Sequence, residues 1–357
     1  MEGQSKYQYA HLRHGRSLII GVLVLLLFFL LYQTGDKLLV VLLPFFLAVI
    51  AAYILNPLVD FLEKHRIPRY LGILLIYAVF FSLFLAIGLS TIPVLILELQ
   101  ILAEGIPEYT RHVRQFMLNI QADYRRINIP DGVREVLNQN ITELQNWLLH
   151  LVELVSHRIV ALFSHTFMIF VIPILVYYIL RDMELLKRSV LLVFPMQYRK
   201  WVVAMGSEMD RTMGAYFRGM LLTCFLVAAM TYTGLLIIGM EFALLLGIIS
   251  GITNIIPYFG PFIGAVPAVL IALLSSPLLA LKVIAVVIIV QQIESQLITP
   301  QVIGRSIGLH PLTVIFALIL GGTLFGVAGL IFAVPLTAML RIFIKYALEL
   351  AAKSQKL

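Results

Sequence analysis

Residues 242–340 are almost wholly apolar, yet glycines, prolines and one acid interrupt them. Two pieces of this stretch look like distorted copies of each other. The first holds Gly247, Gly251, Asn254-Ile-Ile-Pro257-Tyr258-Phe259-Gly260-Pro261 and Gly264-Ala-Val-Pro267. The second holds Gly321-Gly322-Thr323-Leu-Phe325-Gly326-Val-Ala-Gly329 and Ala333-Val334-Pro335. Each has Phe-Gly at its centre and Ala-Val-Pro a few residues on. In lipid every backbone group must be satisfied internally, so a broken helix is tolerated only inside protein or along a cavity. Paired Gly/Pro-interrupted apolar segments therefore point to a translocation site.

Composition agrees with the membrane reading. The chain has 357 residues, of which 61% are hydrophobic and 13% charged, about half the charged share of a soluble domain. The net charge of +7 reflects basic flanks of cytoplasmic loops; no compact basic cluster with interleaved aromatics suggests nucleic acid. The single Cys224 excludes an intramolecular disulfide.

Apolar runs at 17–33, 38–56 and 70–97 are each near or above the length that crosses a bilayer. The first is read as an uncleaved span, because no small-residue cleavage site follows it. Asn56-Pro57, Lys64, His65, Arg66 and Arg69 then mark a cytoplasmic loop. Residues 98–157 carry eight acids against five arginines. Their apolar spacing predicts an amphipathic helical insertion, cut into two or three helices by Pro107 and by Ile129-Pro130-Asp131-Gly132. A span at 159–180 returns the chain to a basic linker, and 217–238 crosses again. Segments 242–256 with 258–275, and 311–324 with 327–346, form two hairpins around a span at 279–298.

The predicted fold is all-α: a polytopic integral membrane helical bundle of about eight segments, including two Gly/Pro-broken hairpins. Its parts are N-terminal membrane helices (1–97), the extramembrane insertion (98–157), a fourth span plus cytoplasmic linker (158–216), a core transport region (217–346) and a cytoplasmic tail (347–357). Both termini are placed in the cytoplasm.

Glu294 is the sharpest candidate for chemistry. An intramembrane carboxylate is costly and marks function by default; the other reading is a static salt bridge with Arg218, Arg211 or Arg305. Gln291, Ser295 and Thr299 repeat every four residues, with Gln292 and Gln296 on an adjoining row, so this face lines a path or bonds between helices. Asn254 and Tyr258 flank Pro257, where freed carbonyls and the Asn254 amide could take a cation or polar solute; Asn254 also suits a helix cap. Pro257, Gly260, Pro261, Gly264, Gly322, Gly326, Gly329 and Pro335 supply hinges and close packing.

Other chemistries find no support. There is no G-x-x-x-x-G-K-S/T loop for ATP, and no zinc or serine-hydrolase motif. His112, His150 and His157 lack ligand spacing. No cofactor, metal or enzymatic activity is expected.

The C-terminal half resembles the autoinducer-2 exporter-like family of bacterial membrane proteins. The resemblance rests on Asp210…Tyr216-Phe-Arg218-Gly219, Asn254-Ile-Ile-Pro257-Tyr258-Phe-Gly260-Pro261, Gln292-Ile-Glu294…Pro300…Gly304…Gly308-Leu309-His310-Pro311 and Phe325-Gly326…Gly329…Ala333-Val-Pro335. It implies a homo-oligomeric transporter in the bacterial inner membrane, exporting a small furanone-type signal or exchanging sodium for protons. On that reading Glu294, with Arg218, Arg305 and Asp210, couples an ion to the movement of a small polar solute. A non-transporting scaffold and a passive channel are the remaining readings.

Overall fold

The computed structural model describes residues 43–123, 131–164, 166–302 and 308–354. Every element among them is helical. The expected first span at 17–33 and Arg305 lie outside the described residues. Five helices are long and apolar enough to cross a membrane, and three shorter apolar helices accompany them.

Helix α1 (Leu43–Lys64) is followed by α2 (Arg69–Asp123) and α3 (Asp131–Ser164). The cytoplasm-assigned ends of α1 and α2 are tied by Arg69. Its guanidinium donates to Asn56 Oδ1 at 2.9 Å, Asp60 Oδ1 at 3.2 Å and Glu63 Oε2 at 2.7 Å on α1. Its Nε donates to the Leu180 carbonyl of α4 (Thr166–Arg181) at 2.7 Å, and Asn56 completes the knot by donating to Asp60. Lysine cannot reproduce this fork. Arg69→Ala is expected to cost about 2–3 kcal/mol, less than for a fully buried pair because the site is partly exposed. Arg69→Lys should recover under half of that. Thermal unfolding of the purified protein checks both.

Pro107 does not cut the chain as expected: α2 continues for 55 residues through Pro93 and Pro107. An interior proline costs about 3 kcal/mol. Leu99, Leu102 and Ile106, however, bury one stripe of α2 in a cluster with Leu148 and Val152 of α3. Burial of three such side chains at roughly 1.5–3 kcal/mol each outweighs the proline. Thr110 adds a bond to Gln145 of α3 at 3.1 Å. The same cluster takes in Leu235, Met240 and Phe242, then residues of the next three helices, so the α2–α3 arm packs directly on the bundle.

After α4 (Thr166–Arg181) and the short α5 (Met183–Val193), α6 (Met196–Ile237) is one unbroken 42-residue helix. The boundary expected between linker and span, at 216–217, falls inside it.

The first hairpin is α7 (Ala243–Thr253) and α8 (Gly260–Ser275). A Cβ on Gly260 would meet the Thr253 carbonyl, and one on Gly264 would lie 2.7 Å from Ser250 Cα. The two helices therefore touch backbone to backbone in antiparallel register. Their junction turns at Tyr258, whose φ is +66°, with the Phe259 N–H donating to the Pro257 carbonyl at 2.8 Å. This three-residue turn is a γ-turn. Gly247 and Gly251 press α7 onto Tyr232, Ala228 and the Cys224 carbonyl of α6.

Helix α9 (Pro277–Ile293) passes into a π-helical turn, Glu294–Ile298, and then α10 (Thr299–Val302). The second hairpin is α11 (Pro311–Ser354), which reverses at Gly326 (φ 59°, ψ −140°), a conformation open essentially to glycine. Its arms, 311–325 and 327–354, meet at Gly321 and Gly329. They enclose a second cluster with Met213, Tyr216, Phe217 and Met220 of α6. Both hairpins thus form where the glycine and proline interruptions place them.

Candidate functional site

The site is built where α9 loses its regular winding. A π turn inserts one extra residue into a helical turn and recurs at functional positions. Glu294 opens this one. Its Oε1 accepts from Asn254 Nδ2 at 3.3 Å and its Oε2 from Gln291 Nε2 at 2.9 Å. The carboxylate is half-buried, and among the described residues no cation pairs with it. Among the described residues it is therefore held by neutral amides alone.

Asn254 explains how two distant segments meet. It stands at the C-cap of α7, and its own N–H bonds back to the Ser250 carbonyl at 3.1 Å. The backbone does the capping, which frees the amide to cross to Glu294. The side chain is buried at 7% exposure, where an unmet amide would be costly. Cys224 of α6 lies within the field of the same carboxylate. It packs, with Ile255, on the edge of the cluster between α6 and the second hairpin. The site therefore sits where the two clusters adjoin.

The π turn also changes the polar face expected from fourfold spacing. Gln291, Glu294 and Thr299 are half-buried, whereas Gln292, Ser295 and Gln296 are exposed. Gln296 bonds Gln292 at 2.7 Å, and Ser295 reaches only the Gln292 carbonyl at 3.4 Å. The extra residue in the turn rotates Ser295 off the row that Gln291 would otherwise share with it.

The expected pairing of Glu294 with Arg218 is not formed. Arg218 is exposed and donates to the Tyr53 carbonyl of α1 at 3.1 Å. Its guanidinium also covers Gly214 on its own helix. Asp210, two turns before Arg218 on α6, pairs with Lys187 of α5 at 3.1 Å and faces the Tyr53 hydroxyl. Arg218 and Asp210 thus form a separate group around Tyr53. Tyr258 is exposed at the γ-turn, and Pro257 and Pro261 are half-buried beside it. Pro335 is buried in the returning arm of α11.

Two polar groups lie outside the set legible in the sequence. The Tyr216 hydroxyl is buried with no hydrogen-bond partner among the described residues. Glu98 of α2 accepts the Leu245 N–H of α7 at 2.9 Å. A lone acid within the apolar run Val94-Leu-Ile-Leu-Glu98-Leu99 was the available signal for the second.

Long apolar helices, two glycine-closed hairpins and a carboxylate set among them define a multi-pass α-helical membrane protein of transporter type. Residues 18–349 match the AI-2E family transporter family, and the chain belongs to it. It is 34% identical to YrrI of Bacillus subtilis (strain 168) over 310 residues, 86% of each chain. Over 311 residues it is 36% identical to YueF of the same organism, covering 84% of this chain and 82% of YueF. Escherichia coli (strain K12) TqsA, named an AI-2 transport protein, is 24% identical over 353 residues, 95% of this chain and 93% of TqsA.

Proposed function

We propose that this chain is a secondary transporter of the bacterial inner membrane that exports a small polar solute, coupled to a proton or monovalent-cation gradient. One observation carries the reading: Glu294 is a half-buried carboxylate on a π turn, bonded among the described residues only to amides. A carboxylate without a fixed counter-charge is open to a mobile one, a proton or a small cation. Asn254, Gln291 and Thr299 line the approach to it, with Gln292, Ser295, Gln296 and Tyr258 on its exposed flanks. Arg218 and Asp210, gathered at Tyr53, form the inner end of the path.

The two hairpins supply the moving parts. The first packs with the α2–α3 arm and on α6, the second on α6 and α1, and their movement relative to each other about Glu294 would supply alternating access. Family membership and the name of TqsA support a small signal of the autoinducer-2 kind as solute. The amide-held carboxylate equally suits sodium/proton antiport through the same residues. Both termini face the cytoplasm, and several copies assemble.

The test is flux in proteoliposomes under an imposed pH gradient, with sodium and a panel of small polar metabolites. Saturable, gradient-dependent movement of a metabolite is expected. Sodium flux with no organic solute selects the antiport form, and no flux of any kind would transfer the argument to a scaffold.

A further inference from the structure

Helix α7 has no cap of its own at its start. The first N–H groups of any helix lack intrahelical partners, and in a membrane no water replaces them. The residue at the cap position is Phe242, in the left-handed conformation (φ 59°) and without a side-chain acceptor. The missing acceptor comes from another helix. Glu98 of α2 takes the Leu245 N–H at 2.9 Å, and the Leu244 N–H faces the same carboxylate. A second tie joins α2 to the turn before α7, where the Tyr109 hydroxyl donates to Glu241 at 2.8 Å.

The far end of α7 is Asn254, which donates to Glu294. Between these ends the helix has 11 residues, about 16 Å of rod. Gly247 and Gly251 seat it against α6 with no room for a Cβ, so it cannot lean away from α6 without unseating. Glu98, with the Tyr109–Glu241 bond, fixes the start of this rod relative to α2.

We propose that Glu98 is a positioning residue: through α7 it sets the contact of Asn254 with Glu294, and so ties the α2–α3 arm to the ion-coupling site. This rests on the reading of Glu294 as that site. The carboxylate acts as the cap of a helix it does not belong to, and the arm becomes part of what positions the site.

Cys224 makes the test direct. It is the sole cysteine, and Gly251 of α7 presses on its carbonyl. Its alkylation by N-ethylmaleimide in proteoliposomes reports whether α7 is seated. Glu98→Ala should speed alkylation about fivefold, the factor that loss of a helix cap is worth. Asn254→Ala should speed it similarly, and the double variant should react no faster than the faster single one. Glu98→Gln, which keeps an acceptor, should stay within about twofold of the native rate.

An unchanged rate in Glu98→Ala would overturn the proposal, as would multiplicative effects in the double variant or no rescue by glutamine. Equal acceleration by Arg69→Ala, which loosens the distant α1–α2–α4 cluster, would show general destabilisation and also overturn it. None of these rates depends on what is transported, so a failure of the transporter reading would leave them unaltered.

Discussion

Glu294→Gln should lower gradient-driven flux by at least about tenfold while leaving the protein as stable as the native chain. The two halves of this expectation separate a coupling carboxylate from a structural one. If Glu294 were one side of a buried ion pair, its loss would strand a cation at a cost of about 3–5 kcal/mol. Its partners are instead the amides of Asn254 and Gln291. Glutamine has the same shape and keeps an acceptor for one amide, and reorientation of the Gln291 side chain supplies the other contact. Removing the charge also removes the penalty of holding it half-buried. Flux under an imposed pH gradient and thermal unfolding of the same preparation check both halves. Lost flux with an unchanged melting temperature assigns the carboxylate to coupling. Unchanged flux excludes that role, and a large drop in melting temperature would reveal a counter-charge supplied by a residue such as Arg305.

The hairpins were legible because their signals are local. Glycine at 326 and the Pro257-Tyr258-Phe259-Gly260 turn break helices by backbone chemistry that neighbours in sequence express. Glu294 was legible because an acid in an apolar run is rare. Its surroundings were not. Asn254 and Glu294 are 40 residues apart, and nothing at either position announces the other. The π turn leaves no periodic trace, since a single extra residue disturbs a fourfold spacing without erasing it. Fourfold spacing therefore puts Ser295 on one face with Gln291, whereas in the fold Ser295 is exposed and Gln291 half-buried. Pro107 misleads for the opposite reason: its local tendency is real, but burial of Leu99, Leu102 and Ile106 against α3 overrides it. Arg218 looked like the partner of Glu294 because both are charged in apolar segments; the fold aims it at the Tyr53 carbonyl instead.

The largest structural effect should come from Gly329→Ala, and two other glycines calibrate it. At Gly329 a methyl group would be driven into the carbonyl of Gly321 on the opposite arm, and both sides of that contact are backbone. Neither can yield without opening the hairpin, so a loss of about 3 kcal/mol is expected. At Gly322 the nearest atom is the tip of the Leu330 side chain, 2.9 Å away. A rotamer change relieves that contact, and Gly322→Ala should cost no more than about 1 kcal/mol. At Gly206, in the interior of α6, nothing lies within 4 Å of the added atom. Gly206→Ala should stabilise the helix by about 0.5–1 kcal/mol. Thermal unfolding should thus rank the proteins Gly206→Ala, native, Gly322→Ala, Gly329→Ala, from most to least stable. The same series separates closure from mere stability in transport. A second hairpin that must close for each cycle predicts that Gly329→Ala, assayed well below its melting temperature, loses flux while Gly322→Ala keeps most of it. Equal flux in the two would mean that the meeting of Gly321 and Gly329 holds the fold but takes no part in movement.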